Sequence, residues 1–147
     1  MNKHAGFTLL ELMVVVVIVA ILAAIGYPSY TEYTRRGKIA EGISTLAEAR
    51  TKMEQFFLDN RTYLNSDAAN MPCNAAVLSA GKKYFTYTCT NLTATTYTVN
   101  GAGVGTEGMG PFTYTIDQAN VRSSTVTGLS GWSGNGTCWV TKKGGVC

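Results

Sequence analysis

Twenty consecutive positions, Phe7 to Gly26, carry thirteen Phe, Leu, Ile or Val side chains and a single charge, Glu11. At about 1.5 Å per residue such a run is a helix roughly 30 Å long, which matches a bilayer core. Its apolar residues favour insertion by about 5 kcal/mol, whereas a carboxylate at the bilayer centre costs about 3 kcal/mol and a peripheral one less. Insertion therefore wins with Glu11 in place. Length and composition also fit a cleaved secretory signal, with Lys3 as its basic flank and the small residues from Ala20 to Ala24 at its end. Two features oppose that reading. A signal peptide gains nothing from a carboxylate near the start of its apolar stretch, and this run does not stop at a turn but continues through Pro28 into a further helical segment. The remainder of the 147-residue chain supports one compact domain, which excludes a large multidomain enzyme. A net charge of +3, from 12 basic and 9 acidic residues, gives no basic footprint of the kind a dedicated nucleic-acid binder carries.

The stretch Lys3-His4-Ala5-Gly6-Phe7-Thr8-Leu9-Leu10-Glu11 resembles the N-terminal signature of the type IV pilin family: a short basic leader, Gly, then Phe-Thr-Leu-x-Glu opening an apolar helix. The resemblance implies that a membrane aspartyl prepilin peptidase cuts between Gly6 and Phe7 and methylates the new amine of Phe7. Residues 1–6 are then a leader peptide, 7–28 a transmembrane and filament-core helix, and 29–147 a globular head that includes the second half of the helix. It also implies a single-pass protein of the bacterial inner membrane that later joins an extracellular pilus (fimbrium). Its partners would be other pilin subunits and the pilus assembly machinery. The cut exposes a cationic amine, and an unpaired charge among packed apolar helices costs several kcal/mol. Glu11 can neutralise it. In the family the partner amine belongs to a neighbouring subunit, so the pair sets axial register, with Phe7, Thr8, Leu9, Leu10 and Pro28 in the same assembly segment. The competing reading has Glu11 simply reaching for the membrane interface.

The Gly26-Tyr27-Pro28 sequence predicts a kink or a locally unwound stretch. Beyond it, Ile39, Ile43, Leu46, Met53 and Phe57 recur on one helical face, with Arg50 in the intervening slot and Glu41, Glu48 and Lys52 opposite. A continuous helix from Phe7 to about Leu58 would be roughly 78 Å long, more than the rest of the chain can cover. Its first half is expected to project into lipid or into a bundle of copies. The Arg35-Arg36-Gly37-Lys38 cluster reads as a solvated face.

After Asp59-Asn60 the composition turns to Thr, Gly, Asn, Ser and aromatics. The segments 84–89, 95–99, 112–116 and 137–141 have strand character, and 100–110 and 129–136 read as turns. The expected fold class is α+β, a long helix packed on about four antiparallel strands. Cys73, Cys89, Cys138 and Cys147 form no C-x2-C pair, and the single histidine, His4, lies in the leader. No metal or cofactor is expected, and an even number of thiols in an exported head points to disulfides. Short loops, together with the family's disulfide-closed C-terminal loop, favour Cys73 with Cys89 and Cys138 with Cys147 among the three pairings. Within the second loop, Trp139, Lys142 and Lys143 are candidates for contact with DNA or a host surface, set against ordinary subunit packing.

Catalysis is not expected. The mature chain has no histidine, Asp67, Glu107 and Asp117 lie far apart, and the glycines of 101–110 lack a phosphate-loop lysine. The resemblance implies a structural subunit of a type IV pilus, with surface adhesion, twitching motility and DNA uptake as properties of the fibre. The alternatives are a type II secretion pseudopilin, which shares the N-terminal signature, and a membrane-anchored binding module that never polymerises.

Overall fold

The computed structural model describes residues 7–64 and 71–147, so the leader with Gly6, and likewise Asp67, lie outside the described residues. The chain divides into two compact units, one ending at Arg35 and the other beginning at Arg36. Helix α1, Leu9–Asn60, contributes to both.

In the first unit the helix has a defined start. Thr8 Oγ1 accepts the Glu11 N–H at 3.2 Å, and the Leu12 N–H donates to the Thr8 carbonyl at 3.1 Å. A threonine hydroxyl thus satisfies one of the donors that every helix start leaves unpaired. From Phe7 to Tyr30 every side chain is exposed. At Pro28, where the sequence predicts a kink or an unwound stretch, the helix is not interrupted. The ring forfeits the bond to the Ala24 carbonyl, yet its fixed φ is close to helical, so a long helix absorbs one missing bond. The Thr31 hydroxyl donates to the Pro28 carbonyl at 2.9 Å.

In the second unit α1 buries Ile39, Gly42, Thr45, Leu46, Ala49 and Met53, with Ile43 and Phe57 partly covered beside them. That stripe follows the helical period, and it packs on a 4-stranded antiparallel sheet of order β1-β2-β3-β4. The strands are β1 Phe85–Thr90, β2 Thr98–Gly103, β3 Phe112–Asp117 and β4 Arg122–Val126. Alternation sorts their faces: Phe85, Tyr87, Val99, Phe112, Tyr114 and Ile116 point into the core, while Thr86 and Thr88 are exposed and Thr113 and Thr115 are half-buried on the other side. The fold class is α+β. A short helix, α2 at Ala75–Ser79, precedes β1, and Asn74 Oδ1 caps it by accepting the N–H groups of Ala76 at 2.8 Å and Val77 at 3.4 Å.

Two strand boundaries differ from the sequence reading. β2 runs from Thr98 to Gly103 instead of from 95 to 99, because 95–97 belong to the turn before it and its glycines serve close approach and not a turn. A Cβ on Gly101 would come within 3.1 Å of the Tyr87 ring, and one on Gly103 would strike the Met109 backbone. The fourth strand is Arg122–Val126, not 137–141. A hairpin delivers it to the sheet edge: Asn120 adopts φ 61, its N–H donates to the Asp117 carbonyl at 3.1 Å, and Asp117 Oδ1 accepts the Val121 N–H at 2.8 Å. The 137–141 segment finds side-chain partners for its backbone instead. Tyr114 Oη donates to the Val140 carbonyl at 2.8 Å, and Ser124 Oγ donates to the Cys138 carbonyl at 2.6 Å while accepting the Val140 N–H at 2.8 Å.

Candidate functional site

The N-terminal segment places Phe7, Thr8, Leu9 and Leu10 on exposed positions at the start of α1, with Glu11 in its first turn. Thr8-Leu9-Leu10-Glu11 has the spacing of a capping box, a signal that the sequence carries independently of any processing. A carboxylate there also complements the positive end of the helix dipole. The observed cap bond uses the Glu11 backbone N–H, and its carboxylate stands where it favours the helix start.

Both cysteine pairs are bonded in the structure, Cys73 to Cys89 and Cys138 to Cys147. The first ties the approach to α2 onto β1. The second closes a loop whose backbone folds back on itself, the Thr141 and Lys142 N–H groups both donating to the Val146 carbonyl at 2.9 and 3.1 Å. Gly144 and Gly145 take φ of 76 and 71, a left-handed pair that lets the chain reverse within so short a ring. Gly144 N–H then donates to the Gly131 carbonyl at 2.9 Å, and Asn135 Nδ2 donates to the Gly145 carbonyl at 3.4 Å.

Within that loop Lys142 and Lys143 are exposed, but Trp139 is not a surface residue. Only 9% of it is accessible, and its Nε1 donates to the Thr115 carbonyl at 2.9 Å. An indole this apolar gains more from burial beside the sheet than from solvent, and its one polar atom finds a partner on β3. What Trp139 offers to the surface is a platform. The Arg122 guanidinium stands 4.7 Å from its ring centroid, oriented by Asn120 Oδ1 at 3.4 Å. Arg122 is exposed and belongs to this site, and no local sequence signal links it to a tryptophan on a distant loop.

A second basic group lies where β1 begins. Lys38 Nζ donates to the Glu107 carbonyl at 2.7 Å and sits 5.0 Å from the Tyr84 ring centroid, with Lys83 Nζ 5.8 Å from the same ring and 3.6 Å from Glu107 Oε2. Glu41 Oε1 accepts the N–H groups of Lys83 and Tyr84 at 3.3 and 3.2 Å. Lys38 and Lys83 are thus engaged at the Tyr84 ring and at Glu107, and Lys82 is half-buried, so Lys83 is the exposed member of the group. Glu54 has a similar structural use: Tyr63 Oη and Tyr97 Oη both donate to its Oε1, at 3.2 and 3.1 Å. Burial, reinforced by the Glu54 charge, pushes the Tyr97 hydroxyl well above its ordinary pKa.

A long capped helix, a four-stranded sheet and a disulfide-closed C-terminal loop define a pilin-type fold. Residues 1–27 match the prokaryotic N-terminal methylation motif, and residues 28–113 match the family described as type IV minor pilin ComP, DNA uptake sequence receptor. The chain belongs to that family of type IV minor pilins. Among solved structures it is similar to the Neisseria meningitidis non-core minor pilin PilV, at 20% identity over 67% of this chain and 94% of that one, with a TM-score of 0.54. That likeness is one of fold. No curated protein matches the chain. As a type IV minor pilin it is a subunit that assembles with other pilins, in a family whose role is structural.

Proposed function

We propose that this minor pilin is cut after Gly6, stands in the inner membrane on the helix that begins at Phe7, and passes into a type IV pilus, where its head captures DNA for uptake. The leader, the filament-core helix of 7–28 and the head of 29–147 are the three functional parts of that reading, and Glu11 supplies the charge that meets a neighbour's new amine. The DNA assignment is carried by the family to which residues 28–113 belong. It runs against the modest net charge of +3, but affinity for a polyanion depends on where cations stand and not on their sum. The exposed Lys142 and Lys143, with Arg122 stacked on Trp139 of the same loop, supply phosphate-binding chemistry on the C-terminal loop and on β4. The role is recognition and assembly, not catalysis. Adhesion and twitching would belong to the whole fibre.

The test is duplex binding by the full chain in detergent, read by fluorescence anisotropy over a salt series. Lys142→Ala should weaken binding and lower the slope of log K against log salt by about 0.9, and Arg122→Ala should do the same. Slopes unchanged in both variants would remove the loop from the DNA contact.

A further inference from the structure

Tyr27, Tyr30 and Tyr33 stand apart from the four buried tyrosines of the head. They are 73%, 68% and 78% exposed, and none of their hydroxyls has a hydrogen-bond partner among the described residues, whereas Tyr63, Tyr87, Tyr97 and Tyr114 are buried with their hydroxyls bonded. They begin at the position after Gly26, where the apolar run ends, and they follow one another at three-residue steps. On a helix that spacing sets neighbouring side chains side by side and advances about 9 Å from first to last, close to the depth of one headgroup layer. Chemistry changes in order along the same stretch. Apolar residues give way to tyrosine interleaved with Ser29, Thr31 and Thr34, and the first ion pair, Arg35 with Glu32 at 3.4 Å, follows. Pro28 adds an independent observation. The Ala24 carbonyl that its missing N–H leaves unpaired is costly in hydrocarbon and harmless where water reaches.

We propose that Tyr27, Tyr30 and Tyr33 form an aromatic belt that lies in the phospholipid headgroup layer of the outward-facing leaflet and sets the depth at which α1 stands before assembly. The partner is a phospholipid surface. An amphipathic ring with one hydroxyl suits that layer, taking its apolar body to the acyl boundary and its oxygen to water and lipid carbonyls. The proposal rests on the reading that the helix from Phe7 spans lipid.

Full-length chain in vesicles of phosphatidylethanolamine and phosphatidylglycerol, carrying either Val16→Trp or Tyr30→Trp, tests it by quenching with lipids brominated at mid-chain or near the glycerol. Fluorescence is read as the difference from the parent, whose Trp132 and Trp139 are buried. The expected result is strongest quenching of Val16→Trp by mid-chain bromine and of Tyr30→Trp by glycerol-proximal bromine. An unquenched Val16→Trp overturns the spanning reading and the belt together. A quenched Val16→Trp beside a Tyr30→Trp that emits as in water, unaffected by either lipid, overturns the belt alone. Replacing all three tyrosines by serine should shift the quenching depth of Val16→Trp by about 5 Å, one helical turn, and replacing them by tryptophan should leave it in place. An unshifted depth in the serine variant would show that the tyrosines do not set it and overturn the proposal.

Discussion

At Gly42 an added Cβ would lie 2.7 Å from Cε2 and 2.8 Å from Cδ2 of Phe85, a ring itself buried in the core. The ring has no room to yield, so the overpacking cost of about 1–3 kcal/mol outweighs the gain of about 1 kcal/mol that alanine brings to a helix interior. Gly42→Ala should therefore lower stability by about 1 kcal/mol, read from the urea midpoint. Gly37 meets nothing within 4 Å, and Gly37→Ala should raise the midpoint by up to about 1 kcal/mol. Both glycines look alike in the sequence as weak points of a helix, and only the packing partner separates them. The buried tyrosines give a second residue-scale outcome. Burial holds the hydroxyls of Tyr97, Tyr114 and Tyr87 above their ordinary pKa, so the folded chain keeps protons that the unfolded chain releases above about pH 10. Their contribution is fully present below that pH and is lost as pH rises through the alkaline range, by at most about 1.4 kcal/mol per pH unit for each group. Urea midpoints between neutral pH and about pH 11 should stay level and then fall, and Tyr97→Phe should flatten the fall.

Elements whose pattern is local were legible from the residues. The stripe of α1 from Ile39 to Met53 follows the helical period, and Phe85-Tyr87 and Phe112-Tyr114-Ile116 alternate with exposed or half-buried threonines, so helix, sheet face and core could be assigned together. The fourth strand was not legible, because Arg122-Ser-Ser-Thr-Val has only one strongly apolar residue at its end and gains its place from a hairpin and from partners distant in sequence. By contrast 137–141 has strand-like composition but spends it on burying Trp139 and Val140. Ser124 joins the two: its hydroxyl serves both the Cys138 carbonyl and the Val140 N–H. Ser124→Ala leaves buried backbone groups without partners and should cost about 1–3 kcal/mol, with the C-terminal loop loosened in hydrogen exchange. Ser123→Ala, on the opposite face where the hydroxyl meets only Thr115 Oγ1 at 2.6 Å, should cost no more than about 1 kcal/mol. Equal effects of the two would refute a linking role for Ser124.

On the scale of the whole molecule, the proposed function asks one helix to serve in lipid and in a filament, and Glu11 is the one charge in its apolar run. The sequence singled out Glu11 because a carboxylate in an apolar run is costly enough to need a use. The same stretch carries the capping-box spacing of Thr8 and Glu11, and Thr8 Oγ1 at 3.2 Å from the Glu11 N–H shows the cap formed. Two substitutions separate the uses. The Thr8 cap bond runs through the backbone N–H of residue 11 and survives any substitution there, so Glu11→Gln removes the charge but keeps a side chain that can accept the Thr8 N–H as a capping box does. Glu11→Val removes the charge and also the carboxylate that favours the helix start. If charge pairing with a neighbour's amine sets register, both variants should still be cleaved after Gly6 and inserted, and both should be missing from sheared filaments. If a polar side chain at this capping-box position is what matters, Glu11→Gln should enter filaments nearly as well as the parent and only Glu11→Val should fail. Mass spectrometry of sheared fibres, counting the peptide that begins at Phe7, reads processing and incorporation in one measurement. The DNA binding proposed for the head should be unchanged in both, because Glu11 belongs to a different compact unit from Arg122, Lys142 and Lys143.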